Sequence, residues 1–148
     1  VYLLDTDHVV ILQRGATAER LALAKRMETN SAANFFISIV TFHEQVAGWQ
    51  AFLNSKRSTQ QVVRGYHELG RILQAFAEVQ LAEFDQQAAE LFDELRRQRV
   101  RIGTMDLRIA SIALFNDYTV LSRNLVDFQK VPGLRIEDWT TPIIEKPR

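Results

Sequence analysis

The first seven residues, Val1-Tyr2-Leu3-Leu4-Asp5-Thr6-Asp7, restrict the fold more than any other stretch, because four apolar residues run unbroken into an acid, a hydroxyl and a second acid. So short an apolar run, ended by polar residues, predicts a strand buried on both faces, as in a parallel sheet. Asp5 then stands at the carboxyl end of that strand. Open α/β sheets collect ligands at this edge, where the next helix presents the positive end of its dipole. The same acids interrupt the N-terminus too early for a secretory apolar region, and no stretch reaches the roughly 18 apolar residues of a membrane span. With no cysteine in the sequence, disulfides and thiolate metal sites are excluded and a cytoplasmic location is expected. The missing initiator Met fits trimming or truncation of one or two native residues. Eighteen basic residues balance eighteen acidic ones, so any hold on a polyanion has to come from a local patch.

Periodicity places the other elements. A short helix over residues 7–14 with a Gly15 C-cap is followed by one capped near Thr17, with Leu21, Leu23 and Met27 facing inward. A second strand is expected over residues 35–40. Next comes an amphipathic helix carrying Val46, Trp49, Phe52 and Leu53, a polar turn over residues 54–61, and a long helix through Val62, Tyr66, Leu69, Ile72 and Phe76. These two helices form an antiparallel hairpin inserted after the second strand. Residues 78–81 read as an edge strand, and Asp85 opens a helix that ends in the basic run Arg96, Arg97, Arg99. The helix entered at Asp106 is the most apolar of the chain and is expected at the centre. A fourth strand (119–122), a loop or short turn (123–128), a last edge strand (134–137) and an extended tail (140–148) complete the chain. Strands alternating with helices predict an α/β three-layer sandwich with a mainly parallel central sheet, one domain over residues 1–139. The residues after the first strand lack the glycines of a phosphate loop, so a nucleotide cofactor is not expected.

Acids recur at the predicted strand ends and helix starts: Asp5 and Asp7, Glu44, Asp106 and Asp127. Each has a structural explanation of its own. Asp5 or Asp7 can cap a helix, Thr41 and Glu44 match a capping box, Asp106 suits a helix first turn, and Asp127 suits a turn. Together they mean more, because the strand ends and helix N-termini of a parallel sheet share one edge. Carboxylates gathered there repel one another unless a cation lies among them. An all-oxygen set points to Mg2+ or Mn2+, which lowers the pKa of a bound water and neutralises a phosphate oxygen. Phosphodiester hydrolysis without a covalent enzyme intermediate is the chemistry implied.

Leu4-Asp5-Thr6, Thr41-x-x-Glu44, Ile102-Gly103-Thr104-Met105-Asp106-Leu107 leading into an alanine-rich helix, Ser122-Arg123-Asn124-x-x-Asp127-Phe128, Pro132-Gly133-Leu134 and Glu137-Asp138-Trp139 together resemble the PIN-domain ribonuclease toxins of the VapC type, over residues 1–139. The resemblance implies an Mg2+- or Mn2+-dependent endoribonuclease, the toxin of a type II toxin-antitoxin pair, held inactive by a cognate antitoxin and often a homodimer. By position it implies an acidic site of Asp5, Glu44, Asp106 and Asp127. Asp5, Asp106 and Asp127 would be the metal ligands, and Thr6, Ser122, Asn124 and Asp7 the supporting polar residues. The chain departs from the pattern where Asp7 replaces a usual Asn, where His43 and Gln45 flank Glu44, and where Ser122 replaces Thr.

Arginines around the Asp106 helix and after the fourth strand (Arg101, Arg108, Arg123) are candidates for gripping RNA phosphates; as a group they equally suit a solvated helix end. His8 and His43 flank acids but are expected as hydrogen-bonded residues rather than ligands. Trp49, Phe52, Leu53, Tyr66 and Leu69 exceed what closing a hairpin needs and predict a groove for an antitoxin segment or a second copy. Two other functions compete. One is a PIN-like binding module without activity. The other is a haloacid-dehalogenase-like phosphatase using Asp5 and Asp7, which the lack of a late acidic pair disfavours.

Overall fold

The computed structural model describes residues 1–55, 58–142 and 144. Five strands alternate with seven α-helices among these residues: β1 (Tyr2–Leu4), α1 (Thr6–Gln13), α2 (Ala18–Glu28), β2 (Phe35–Ser38), α3 (Ile39–Asn54), α4 (Thr59–Ala77), β3 (Gln80–Ala82), α5 (Gln86–Arg97), α6 (Thr104–Phe115), β4 (Thr119–Leu121), α7 (Leu125–Phe128) and β5 (Ile136–Glu137). The sheet runs in the order β3-β2-β1-β4-β5, and every pairing is parallel. Chain direction across the sheet reverses between β1 and β4, which makes their carboxyl ends the topological switch point. Leu4 pairs with Ile37 on one side and Leu121 on the other. Asp5, Ser38 and Ser122 therefore follow in one row just beyond the strands.

Alternation along β1 and β4 divides the core in two. Leu3 and Val120 face a cluster built with Phe92 and Leu95 of α5 and Leu107, Ile109, Ala110 and Ala113 of α6. Leu4 and Leu121 face the opposite layer with Val9, Leu23 and Trp139, where Tyr2, Phe35 and Trp139 form a ring cluster. A helix layer thus covers each face, as a parallel sheet requires. Helix α6 buries Leu107 and every residue from Ile109 to Ala113, so it is the central helix its composition predicts. The α3–α4 hairpin closes where Leu53 lies against Gly65. A Cβ at Gly65 would fall 2.5 Å from Leu53 Cδ2.

Several boundaries differ from the expectations. Strand β2 stops at Ser38 because its hydroxyl caps α3 by accepting the Thr41 amide at 3.0 Å, so Val40 reaches the core from a helix. Gly15 is not a left-handed cap: α1 ends at Arg14 in extended backbone, and Gly133 is the positive-φ glycine of the described residues. Leu21 points to solvent, while Ala22 and Leu23 fill the inner face of α2. Residues 125–128 form a helical turn capped by Asn124. The tail begins later than expected, since Thr140 is buried and donates to Asp138 at 2.6 Å. Residues 143 and 145–148 of the expected tail, and 56–57 of the expected hairpin turn, lie outside the described residues.

Candidate active site

Asp5 is fixed by its neighbours on both sides. Its amide donates to Leu121 O at 2.9 Å, extending the β1–β4 ladder by one residue. One carboxylate oxygen accepts the Thr6 amide at 2.8 Å, capping α1, and the other accepts the Ser122 hydroxyl at 2.7 Å. The helix-cap explanation therefore holds, yet it leaves an acid only 5% exposed. Burial pushes its pKa up to about 7, with repulsion from Asp7 and Asp106 adding to the rise and the Ser122 and Thr6 hydrogen bonds opposing it. A cap alone needs no such burial.

The capping-box explanation for Glu44 fails. Ser38, not Thr41, caps α3, and Glu44 lies beyond the first turn. Its carboxylate accepts the Thr6 hydroxyl at 3.1 Å, and that hydroxyl stands 3.2 Å from buried Thr41. Asp106 occupies the first turn of α6, and Asn124 bridges it to Asp127 through the amide nitrogen, 3.4 Å from one carboxylate and 3.0 Å from the other. Burial first, then Asp127 and Asp7, raises the Asp106 carboxyl above its ordinary range. Glu44 is raised as well, by burial and by Asp106 against the Thr6 hydrogen bond. Asp127 moves the other way, lowered by Asn124 and by Lys130 at 3.2 Å.

Asp106 is thus the shared neighbour: Asp5 and Glu44 both feel its charge, and it feels that of Asp127. Among the described residues no lysine or arginine forms an ion pair with Asp5, Glu44 or Asp106. The carboxylates and hydroxyls form an all-oxygen donor set suited to a hard divalent cation, while Asn124 turns its amide nitrogen to Asp106 and Asp127 and its amide oxygen to the Asp127 N–H. No three carboxylates or histidines among the described residues close into a ready-made cage. An ion here would fit as Mg2+ does, through few carboxylates and several retained waters.

The arginines divide. Arg101 lines a cleft of about 580 Å3 with Arg96, Gly103, Thr104 and Asp127, beside the acids. Arg108 lies over the Phe92 ring at 5.8 Å, and Arg123 is exposed while its amide donates to Asp7 at 2.9 Å. A groove of about 930 Å3 starts at Thr6 and Glu44 and runs between α1, α3 and α4 past Trp49, Phe52 and Arg71. Leu53, Tyr66 and Leu69 are not in its lining; Leu53 is spent on Gly65 and Tyr66 faces outward. Sequence reasoning missed Ser38, and it named Thr41 and Trp139 in motifs without their contacts to Thr6 and His8. Ser38 was hidden because Ile39 and Val40 carry the apolar stretch on past its hydroxyl.

No family model matches the chain. Its sequence is 27% identical over 142 residues to the tRNA(fMet)-specific endonuclease VapC of Salmonella typhimurium, covering 93% of this chain and 97% of that one. It is 38% identical over 48 residues to ribonuclease VapC1 of Rickettsia felis, 32% of this chain and 36% of the relative. Among solved structures, DNA-bound VapBC from Salmonella typhimurium matches with a TM-score of 0.70 at 24% identity, covering 93% of this chain and 97% of that one. VapBC-1 from nontypeable Haemophilus influenzae matches with a TM-score of 0.69 at 23% identity, covering 95% and 98%. The resemblance read from the residues therefore extends to the fold, an all-parallel α/β sandwich like that of these structures.

Proposed function

We propose that this chain is an endoribonuclease of the PIN-domain VapC type, the toxin of a type II toxin-antitoxin pair, with residues 1–139 as its nuclease domain. One observation carries the reading: Asp5, Glu44, Asp106 and Asp127, distant in sequence, gather at the sheet's switch point, and among the described residues no lysine or arginine pairs with the first three. The relative similar along nearly its whole length is named for cutting a tRNA, and the structural neighbours are toxin-antitoxin complexes.

On this reading Asp5, Asp106 and Asp127 would hold Mg2+ or Mn2+, in part through its retained waters, with Glu44 completing the acidic set. The bound ion supplies a more acidic water and neutralises charge on the phosphate. The chain's own residues do the positioning. Ser122 orients Asp5, Asn124 spaces Asp106 from Asp127, and Thr6 holds Glu44. Arg101 and Arg123 flank the acids and meet RNA phosphates; Arg108 contributes from the neighbouring helix face. The groove that opens at Glu44 receives a segment of the cognate antitoxin, with Trp49 and Phe52 as its apolar wall. No helix among the described residues is long and apolar enough to cross a membrane, and we place the protein in the cytoplasm as a homodimer.

The test is Asp106→Asn, compared with wild type on structured RNA with and without Mg2+ or Mn2+. Cleavage by wild type that chelation abolishes, and a loss of more than about 100-fold in the variant with its melting curve preserved, is the expected result. Equal behaviour of the two proteins would reduce the chain to a binding module.

A further inference from the structure

His8 is completely buried, and both ring nitrogens are engaged. Nδ1 lies 2.7 Å from Asp7 Oδ1, and Nε2 accepts the Trp139 amide N–H at 3.2 Å. A backbone N–H only donates, so Nε2 carries the lone pair and the ring proton sits on Nδ1, aimed at Asp7. Asp138 Oδ1, 3.8 Å from Nε2, is beyond hydrogen-bond range. The second oxygen of Asp7 accepts the Arg123 amide at 2.9 Å and stands 3.2 Å from the Ser122 hydroxyl. Each Asp7 oxygen thus faces a donor, and its carboxylate joins the start of α1 to the turn from β4 to α7, while His8 links it onward to the segment after β5 through Trp139.

That turn carries the residues that aim the acids. Ser122 donates to Asp5 at 2.7 Å and accepts the Asn124 amide at 3.0 Å, while the Asn124 side chain contacts Asp106 and Asp127. We propose that Asp7 is a positioning residue rather than a metal ligand: anchored by His8, it fixes the β4–α7 turn so that Ser122 and Asn124 aim Asp5, Asp106 and Asp127. This deepens the nuclease reading and rests on it. The geometry also explains why this position is Asp where the resembling family usually has Asn. With its carbonyl towards Arg123, an Asn would set its NH2 against the His8 Nδ1 proton. Moving that proton to Nε2 would then oppose the Trp139 N–H. Turned over, the same NH2 would meet the Arg123 N–H. Only an acceptor on both sides serves a His8 held in this tautomer.

Two measurements on the whole chain test this. Nitrogen NMR of wild type is expected to show His8 protonated at Nδ1 with Nε2 bare; a proton on Nε2 overturns the proposal whatever the variants do. Calorimetric titration with Mg2+ alone then compares wild type, Asp7→Asn, His8→Gln and His8→Asn, each checked by thermal melting. His8→Gln keeps an acceptor for Trp139 but no donor for Asp7, whereas His8→Asn keeps the donor. Asp7→Asn and His8→Gln are each expected to weaken Mg2+ binding by about 10- to 100-fold, with kcat at saturating RNA reduced. His8→Asn is expected to retain most of the affinity. Weakening in Asp7→Asn with His8→Gln unaffected would make Asp7 a direct ligand and overturn the proposal, as would variants all equal to wild type. Should wild type neither bind Mg2+ nor cut RNA, the nuclease reading fails and takes this one with it; if wild type does both, the variant results bear on Asp7 alone.

Discussion

Removing the charge of Asp5 should stabilise the protein while it destroys the metal site. The carboxyl titrates near 7 in the fold against an ordinary 3.8, so between these values the native state holds a proton that the unfolded chain has released. The sign follows: Asp5 contributes most stability at low pH, and that contribution is lost as pH rises through 7. A shift of this size corresponds to at most about 4 kcal/mol at pH 8. Asp5→Asn removes the titration but exchanges one acceptor for a donor beside Thr6 or Ser122, costing about 1 kcal/mol. The net gain expected at pH 8 is roughly 1–3 kcal/mol, or about 2–10 °C in melting temperature for a chain of this size. Melting curves for both proteins at pH 5 and pH 8 in chelator measure it. The gap in favour of the variant should open as pH rises. Saturating Mg2+ should then raise wild type at pH 8 by about 2.7 kcal/mol at a hundredfold excess over its Kd, and leave the variant nearly unmoved. A gap that is constant with pH, or that closes towards pH 8, would refute the burial argument.

Other perturbations isolate the remaining parts. Arg101→Ala and Arg123→Ala should each reduce the salt dependence of RNA binding by about one phosphate contact, with kcat at saturating RNA little changed, read from binding titrations at several salt concentrations. Trp49→Ala, in the wall of the groove, should leave cleavage by the free enzyme intact but cost at least about 2 kcal/mol in antitoxin affinity, measured by calorimetry. Gly65→Val would drive carbon into Leu53 and should lower stability by about 1–3 kcal/mol in urea unfolding.

The centre of the sheet was legible because β1 and β4 are short apolar runs ended by polar residues and buried on both faces as such runs predict, whereas the edge strands β3 and β5, expected at 78–81 and 134–137, are Gln80–Ala82 and Ile136–Glu137. Asp5 followed directly, since a strand end is a position in sequence. Boundaries decided by one hydroxyl were not legible: the apolar stretch 35–40 continues past Ser38, and only the cap shows that helix begins there. Glu44 could be marked as an acid but not as the partner of Thr6, because 38 residues separate them. Leu53 and Tyr66 illustrate the opposite error. Apolar residues at helical spacing tell which residues seek burial, not which ones a neighbouring glycine absorbs or which remain outside.

The restraints on the four acids differ, and this orders their tolerance to change. Asp5 is held by strand register and two hydrogen bonds, so its position is a property of the β1–β4 pair. Asp106 rides on a helix buried nearly all round; core changes that shift α6 should therefore move it, and repacking around Ile109 or Ile112 should disturb the site from a distance. Glu44 lies in the second turn of a 16-residue helix and is adjusted locally by Thr6. Asp127 sits on a four-residue turn of helix, partly exposed, with Asn124 and exposed Lys130 as its side-chain partners. Its position therefore depends on Asn124, and substituting Asn124 should displace Asp127 more than Asp106, which α6 holds independently.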